Sequence, residues 1–358
     1  MAISKKNKLT KKNKYVFPVI KVLLIILVFT CGLIAYRYYT RIFSPNVHLN
    51  NKQYDYLFIP TGTDFNHAIA YILQKGYVVD IESFIWVAKK KNYKNHIHPG
   101  KYKIISGMSN NELINHLRSG NQETVKLIFN YLRTKEQLAS RISRQIEADS
   151  LSIIKLLNND STARLFGFDS YSFMSMFIPN TYEFYWNTSA MEFLKRMEKE
   201  YKKFWTQSRI EKADEIGLTP QQVSILASII EEETVKNEEK SRIAGVYINR
   251  LKKGKKLEAD PTVKFAWGDF FIRRILRKHL GINSPYNTYK FYGLPPGPIS
   301  IPSIITIDAV LNCENHDFLY FCAKDDFSGY HVFAKTLKQH IINARKYQYA
   351  LNKKILHV

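Results

Sequence analysis

The sequence predicts an α+β protein with one N-terminal transmembrane helix, a small α/β subdomain and a larger mixed α+β domain. A lysine-rich start precedes a long apolar run, strand-like segments alternate with helical patterns, and proline-rich loops precede a hairpin pattern near the C-terminus. With 45% hydrophobic and 14% aromatic residues, the chain is folded rather than disordered. The residues beyond the apolar run are too many for one small core.

The N-terminus has the pattern of a membrane anchor. Residues 1–14 carry six lysines and no acidic residue, and residues 15–37 are mostly apolar. Lys21 interrupts the run where its long stem can reach the headgroups, whereas Tyr36 and Arg37 suit the far interface. The lysines keep residues 1–14 in the cytoplasm, so the rest of the chain lies outside. A cleaved signal peptide is the alternative, but no small-residue cleavage site follows the run.

The composition is strongly basic. The formal net charge is +22, of which about +16 remains without the six N-terminal lysines. Outside a membrane such a surface can bind lipid headgroups or acidic cell-wall polymers, so nucleic acid is not an expected partner. A basic surface that serves solubility alone is the alternative. Three cysteines do not make a disulfide scaffold, and whether Cys313 and Cys322 pair stays open. Neither a zinc-ligand spacing nor a Gly-rich phosphate loop occurs, so no metal or cofactor is expected.

The first folded segments follow the anchor. Residues 38–54 contain several Asn and little periodicity, which predicts a tether. Residues 55–130 predict a small α/β subdomain that starts with a strand. In it, one helix begins after Asp64, a second covers residues 80–88, and residues 98–114 give a strand, a turn and an N-capped helix.

The C-terminal half divides into two predicted regions. Residues 131–204 form a connecting helical region, and residues 205–358 form the larger domain. In that domain Thr219-Pro220 begins a helix, with Pro at the first helical position. The run Leu294–Pro298 predicts a rigid loop that can line a groove at low ordering cost, and residues 318–333 predict a hairpin.

The most informative stretch is residues 226–234, where an apolar helix ends in three carboxylates. On a helical wheel Glu233 falls in the middle of the apolar stripe, Glu231 lies at its edge, and Glu232 points toward the opposite side. A carboxyl group held against apolar side chains has a raised pKa and can act as a general acid at neutral pH. Periodicity alone therefore selects Glu233 as the more buried acid. The alternative is a solvated helix face with one inward salt bridge.

Six blocks follow one another over roughly the last 130 residues: Leu226–Thr234, Tyr247–Leu251, Asp260–Val263, Ser284–Tyr289, Gly293–Ile299, and Phe318–Phe321 with His331–Phe333. In this order they resemble the endolytic murein transglycosylase (YceG-like) family. A weaker likeness extends upstream to about residue 50. There, the predicted elements of residues 55–130 resemble the LysM-like subdomain of that family, which is associated with glycan binding. A packing module without a ligand is the alternative for this subdomain.

One upstream block departs from the family pattern. Where the family carries Glu-Gly and then an Asp, this chain has Met174, Ser175 and Asn180. An Asn donates and accepts hydrogen bonds but cannot titrate. Any substrate contact that the family makes with those carboxylates is therefore not carried over to this chain.

The resemblance implies a lytic transglycosylase, which cleaves the MurNAc–GlcNAc bond of nascent peptidoglycan and leaves 1,6-anhydro-MurNAc ends, so that elongation stops. It implies Glu231 as the general acid, which protonates the bridging oxygen and then deprotonates the sugar's own primary hydroxyl. In this interpretation Glu231 faces a groove that sugar can reach, and Glu233 lies deeper and supports the site. The other groove or supporting residues implied are Thr234, Asn249, Arg250, Asp260, Asn287, Thr288 and Tyr289.

Two other functions stay open from the sequence. A muramidase-type hydrolase would pair Glu231 with a second carboxylate such as Asp260, and a non-catalytic scaffold would bind peptidoglycan without shortening it.

The expected partners are peptidoglycan strands, membrane lipid through the anchor, and peptidoglycan synthases. The expected location is the inner (plasma) membrane, with the larger domain on its outer side. His331 and His340 also match family positions, although a single His beside a strand is more often structural.

Overall fold

The computed structural model describes residues 7–272 and 274–356. The chain divides into two compact units. One contains the chain up to Thr124 together with Tyr185–Asn187, and the other contains Val125–Phe184 and the chain from Thr188 onward. The mixture of helices and short strands, with one apolar N-terminal helix, confirms the predicted α+β class.

The first unit begins with helix α1 (Asn7–Phe43), in which Phe17–Phe43 is long and apolar enough to cross a membrane. The helix continues six residues past the predicted anchor. Val47 and Leu49 are then buried in the core of the same unit. The predicted tether at residues 38–54 is therefore helical in its first part and packed in its second. Val47 and Leu49 are isolated apolar residues and give no periodic signal. Their packing could therefore not be predicted from the sequence pattern.

The rest of the first unit contains β1 (Tyr54–Ile59), α2 (Phe65–Gln74), α3 (Ile81–Lys90), β2 (Gly100–Ile105) and α4 (Asn110–Arg118). The two strands are antiparallel, with Tyr54 opposite Ile105. The side chains of Asp64, Asp80 and Ser109 each accept a hydrogen bond from a backbone N–H in the first turn of the following helix. The predicted elements of this region are confirmed, while its likeness to LysM stays a prediction.

The second unit is larger, and most of it is helical. Its elements are β3 (Thr124–Phe129), α5 (Lys135–Ser143), α6 (Ser150–Leu157), α7 (Asp160–Leu165), β4 (Asn180–Tyr185), α8 (Ala190–Phe204), α9 (Gln207–Glu215), α10 (Pro220–Glu233), α11 (Asn237–Lys252), α12 (Asp260–Trp267), α13 (Arg277–Leu280), α14 (Ile304–Leu311), β5 (Tyr320–Ala323), β6 (His331–Ala334) and α15 (Leu337–Leu356). β3 pairs with β4, and β5 forms an antiparallel hairpin with β6, as predicted.

Helix α10 is the central element of the second unit. Thr219 caps it in a capping box with Gln222, and Pro220 occupies its first turn, as the sequence predicts. Every residue from Val223 to Ile230 is buried, and α11 and α14 pack against this helix. A helix that is buried on every side lies inside the fold. Its polar end at residues 231–233 is therefore held in a fixed position by a rigid core.

Candidate active site

Three consecutive glutamates at the C-terminal end of α10 occupy three different environments. Glu231 lies beside α11 and the start of α14, Glu232 faces an arginine from the segment after β3, and Glu233 lines a cavity. Successive helical residues differ by about 100° in direction, so one short stretch can serve three surroundings.

Glu231 is enclosed by hydrogen-bond donors. Its Oε2 atom accepts from the Ser303 hydroxyl at 2.8 Å, from the Ser303 backbone N–H at 3.3 Å and from the Thr306 hydroxyl. Lys240 lies 3.4 Å away, and its side chain is only 5% exposed. Burial alone would raise the pKa of Glu231, but the hydroxyl donors and the Lys240 charge together lower it. Glu231 is therefore an ionised carboxylate at neutral pH.

Glu232 forms a second ion pair. Its carboxylate accepts two hydrogen bonds from Arg133, at 3.0 and 3.1 Å, and a third from the Tyr131 hydroxyl. A bidentate arginine–carboxylate pair fixes geometry as well as charge. Tyr131 itself has a φ of 26°, outside the ordinary regions for a residue with a side chain. This contact joins the segment after β3 to the end of α10.

Glu233 lines a cavity of about 350 Å³. The Tyr247 hydroxyl donates to its Oε1 at 2.7 Å, and among the described residues none donates to its Oε2. Removal from water raises the pKa of Glu233 to about 7, against a lowering by the Tyr247 hydrogen bond. The nearby Asp260 charge raises it further. A carboxyl group with a pKa of about 7 can hold or release a proton near neutral pH, and Glu233 lies in the wall of this cavity.

Two further predicted residues face this cavity as a pair. The Tyr289 hydroxyl donates to Asp260 at 2.6 Å, and both side chains line the cavity with Glu233. Burial, followed by this hydrogen bond, raises the pKa of Tyr289, so its phenol keeps its proton. Asp260 is also the first residue of α12. The start of this helix therefore holds the Asp260 carboxylate at the cavity.

Arg250 lines the cavity, but its nitrogens are engaged in holding the wall. Nε donates to the Lys256 carbonyl at 2.8 Å, Nη1 donates to the Leu319 carbonyl at 3.0 Å, and Nη2 pairs with Glu258. These bonds connect α11 to the loop after it and to the segment before β5. The structure supports a positioning role for Arg250.

The remaining predicted residues do not line the cavity. Asn249 donates to the His316 carbonyl at 2.6 Å, and Asn287 donates to the Leu280 and Ile282 carbonyls at 3.0 and 2.9 Å. Thr288 accepts from the Ala259 backbone N–H at 3.0 Å. Thr234 ends α10 as its C-cap. All four hold loops in place. The residues that depart from the family block do not line this cavity either: Met174 and Ser175 are buried, and Asn180 is exposed at the start of β4.

Sequence reasoning missed several cavity residues, of which Tyr247 is the most important because it contacts Glu233. His331 also lines the cavity. The Glu239 carboxylate accepts a hydrogen bond from the His331 backbone N–H at 2.9 Å and lies 2.9 Å from the His331 Nδ1. His340 stacks on Tyr320 with centroids 5.3 Å apart. The family blocks contained His331, but their order could not reveal the buried Glu239. The other lining residues are Leu257, Glu258, Phe321, Cys322, Ala323 and Leu337.

The chemistry available in this cavity is acid–base chemistry. The carboxyl of raised pKa, Glu233, is accompanied in the cavity wall by two further carboxylates, three tyrosines and two histidines. Among the residues that the structure describes, no group of three or more His, Cys, Asp or Glu side chains is placed to hold a metal ion. Cys313 and Cys322 are both free thiols.

An N-terminal helix long and apolar enough to cross a membrane, together with a cavity that holds a carboxyl acid, is consistent with the class of membrane-anchored enzymes that use acid–base chemistry. Comparison with known proteins identifies the family. The YceG-like family model matches residues 57–346, so the chain belongs to the YceG-like family.

Its relatives carry a consistent name. An endolytic murein transglycosylase of Bacillus subtilis is 31% identical over 316 residues, covering 83% of this chain and 85% of the relative. One of Streptococcus pneumoniae is 26% identical, covering 88% of this chain and 62% of the relative. The crystal structure of a YceG-like protein from Listeria monocytogenes is similar with a TM-score of 0.53 at 26% identity, covering 81% of this chain and 99% of that one.

Proposed function

We propose that this chain is a membrane-anchored endolytic murein transglycosylase, which cleaves the MurNAc–GlcNAc bond of peptidoglycan and forms 1,6-anhydro-MurNAc ends. The relatives that carry this name support the activity. The observation that carries the chemical assignment is a carboxyl group with a pKa of about 7 that lines a cavity. A general acid for glycoside cleavage must hold its proton near neutral pH and reach the leaving oxygen.

Glu233 is the acid in this proposal, although the resemblance implied Glu231. Glu233 meets both requirements, because its pKa is raised and its Oε2 is not engaged by a donor among the described residues. Glu231 meets neither, because several donors hold it ionised and it is not among the cavity-lining residues. Its role here is to position the end of α10 against α11 and α14.

The reaction needs one carboxyl in two protonation states. Protonated Glu233 gives its proton to the bridging oxygen as the C1–O bond breaks. The resulting carboxylate then takes the proton of the MurNAc primary hydroxyl, whose oxygen bonds to C1 and closes the anhydro ring. The internal hydroxyl replaces water and benefits from a high effective concentration. The Tyr247 hydrogen bond, at 2.7 Å, stabilises the carboxylate between the two steps.

The location follows from the anchor. In this proposal α1, which contains a segment long and apolar enough to cross a membrane, anchors the chain in the plasma membrane, with the lysines of residues 1–14 on the cytoplasmic side. The second unit then works on the outer side, where nascent strands and the synthases that make them are found. Cleavage close to the membrane would end strand elongation. A synthase is accordingly the proposed protein partner.

The test is the product of purified full-length protein acting on peptidoglycan, analysed by mass spectrometry. A transglycosylase yields anhydro ends, which are lighter by one water than the reducing ends that a hydrolase releases. Asp260, close enough to act electrostatically on Glu233, supports the hydrolase as second candidate. Reducing ends alone would identify that hydrolase, and unshortened strands that remain bound would identify a scaffold.

A further inference from the structure

The C-terminal end of α1 is fixed to α3 of the same unit. Arg41 pairs with Glu82 at 3.2 Å, and the ring centroids of Tyr38 and Trp86 lie 5.4 Å apart. The Asn110 amide also donates to the Arg41 carbonyl at 2.8 Å. The membrane helix therefore ends in a side-chain and backbone interface and does not lead into a free linker.

These contacts give the direction of α3. Arg41 of α1 contacts Glu82 of α3. Tyr38, which precedes Arg41 in α1, contacts Trp86, which follows Glu82 in α3. The two helices thus run in opposite directions at their contact, and the C-terminal end of α3 points back toward the bilayer. Lys90 continues this course, with its Nζ 5.8 Å from the centre of the Trp86 ring.

The length of the apolar run gives the depth. Residues 15–36 span about 33 Å as a helix, which matches a hydrocarbon core of about 30 Å. Arg37 is the first charged residue after this run, so Tyr38 lies in the headgroup layer. Trp86 lies at the same depth because it packs on Tyr38. Trp and Tyr are the residues that favour this layer.

The charge at this end of α3 is entirely positive. Lys89, Lys90, Lys91 and Lys94 lie within six residues, and no Asp or Glu occurs between Ser83 and Asn111. At the end of α4, the buried Nε of Arg118 has no hydrogen-bond partner among the described residues. Burial, and then the charge of Arg118, lower the pKa of Lys91. An anion beside these cations would relieve their mutual repulsion.

We propose that this basic end, formed by Lys89, Lys90, Lys91, Lys94 and Arg118, binds the phosphate groups of anionic phospholipids in the bilayer that α1 crosses. Together with the α1–α3 interface, the lipid contact fixes how the first unit stands on the membrane. The inference rests on the proposed membrane anchor and is independent of the transglycosylase chemistry.

The test measures lipid preference around the full-length protein in bilayers of phosphatidylcholine and phosphatidylglycerol. Spin-labelled versions of the two lipids report how much of each the protein immobilises. The wild type should prefer phosphatidylglycerol, and the double change Lys90→Gln and Lys94→Gln should lower that preference by up to about fivefold per lysine. The control removes the same charge elsewhere in the unit, with Lys52→Gln and Lys75→Gln, and leaves the preference unchanged.

A depth measurement checks the geometry separately. In a variant with Cys31, Cys313 and Cys322 changed to Ala, a fluorophore at Lys90→Cys is quenched by headgroup-labelled lipid. The same fluorophore at Lys52→Cys, on the turn beyond the end of α1, is quenched less. Equal immobilisation of both lipids, or equal quenching at the two positions, would overturn the proposal while leaving the anchor intact. Release of the protein by alkaline washing would overturn the anchor as well.

Discussion

The surroundings of Glu231 and Glu233 differ although the two carboxyl groups lie two residues apart on one helix. Around Glu231, two hydroxyl groups, a backbone N–H and the buried Lys240 stabilise negative charge. Around Glu233, one tyrosine hydroxyl donates, and a neighbouring carboxylate opposes the charge. The pKa is consequently lowered at Glu231 and raised to about 7 at Glu233.

This comparison shows that burial alone does not set the pKa of a carboxyl group. The hydrogen-bond donors and charges around the group decide whether it is ionised or can hold a proton near neutral pH. Both groups lose contact with water, which raises the pKa of each. The donors around Glu231 stabilise its charged form, so Glu231 is an anion that connects α10, α11 and α14. The charged form of Glu233 is stabilised less, so this group keeps a proton that it can transfer. The following changes test this contrast.

The largest expected effect is that of Glu233→Gln on the chemical step. An amide cannot supply the proton, and general acid catalysis is worth about 10²- to 10⁴-fold. Single-turnover cleavage should slow by that factor, while the affinity for isolated glycan strands changes little. A loss of affinity with an unchanged cleavage rate would assign Glu233 to substrate binding.

Glu231→Gln should act on stability first. It leaves the ammonium of Lys240 buried without its counter-charge, which costs about 3 kcal/mol. Denaturant unfolding measures this loss. The added change Lys240→Met removes the unpaired charge and should restore much of the stability. If the single variant is as stable as the wild type, the Glu231 cluster is not the structural tie described above.

The next expected effect is on the pH dependence of activity and of stability, both of which report the raised pKa of Glu233. Because Glu233 must be protonated, kcat/KM should fall about tenfold per pH unit above about pH 7. The folded pKa lies above the ordinary 4.5, so this group's contribution to stability falls as pH rises from about 4.5 to about 7. Glu233→Gln should flatten that part of the stability profile. Titration of unfolding with pH in both proteins measures the change.

The smallest expected effect is that of Tyr247→Phe. Its hydroxyl lowers the pKa of Glu233, so losing it should move the alkaline limit of activity to higher pH. The rate at neutral pH should change by about two- to tenfold. Tyr289→Phe is the matched control, since Tyr289 donates to Asp260 and not to Glu233. If both variants shift the alkaline limit equally, the Tyr247 hydroxyl does not specifically lower the pKa of Glu233.

Local signals in the sequence were sufficient for many elements of the fold. Asp64, Ser109 and Thr219 precede helices because each offers an oxygen to an unpaired N–H, and the structure shows each bond. The helical wheel also identified Glu233 as the most enclosed carboxyl of the triplet, but it did not order the other two, since the Glu231 and Glu232 side chains are 17% and 16% exposed. What it could not give is whether an inward side chain meets packed core or a cavity.

The missing information was long-range. Glu231 is stabilised as an anion by residues from 9 to 75 positions away in sequence, among them Lys240 and Thr306. None of these forms a motif with Glu231, and the N-cap at Ser303 was not recognised. Similarly, Val47 and Leu49 gave no periodic pattern, so their packing in the first unit could not be predicted. Contacts of this kind require the three-dimensional structure.

The most direct test of the central claim compares Glu231→Gln and Glu233→Gln in one experiment. Both full-length variants are incubated with peptidoglycan under conditions where each is folded, and anhydro ends are counted per folded molecule by mass spectrometry. Glu233→Gln should form almost none, and Glu231→Gln should keep a substantial fraction of the wild-type rate. Full activity in Glu233→Gln with none in folded Glu231→Gln would show that the proton comes from the other carboxyl group.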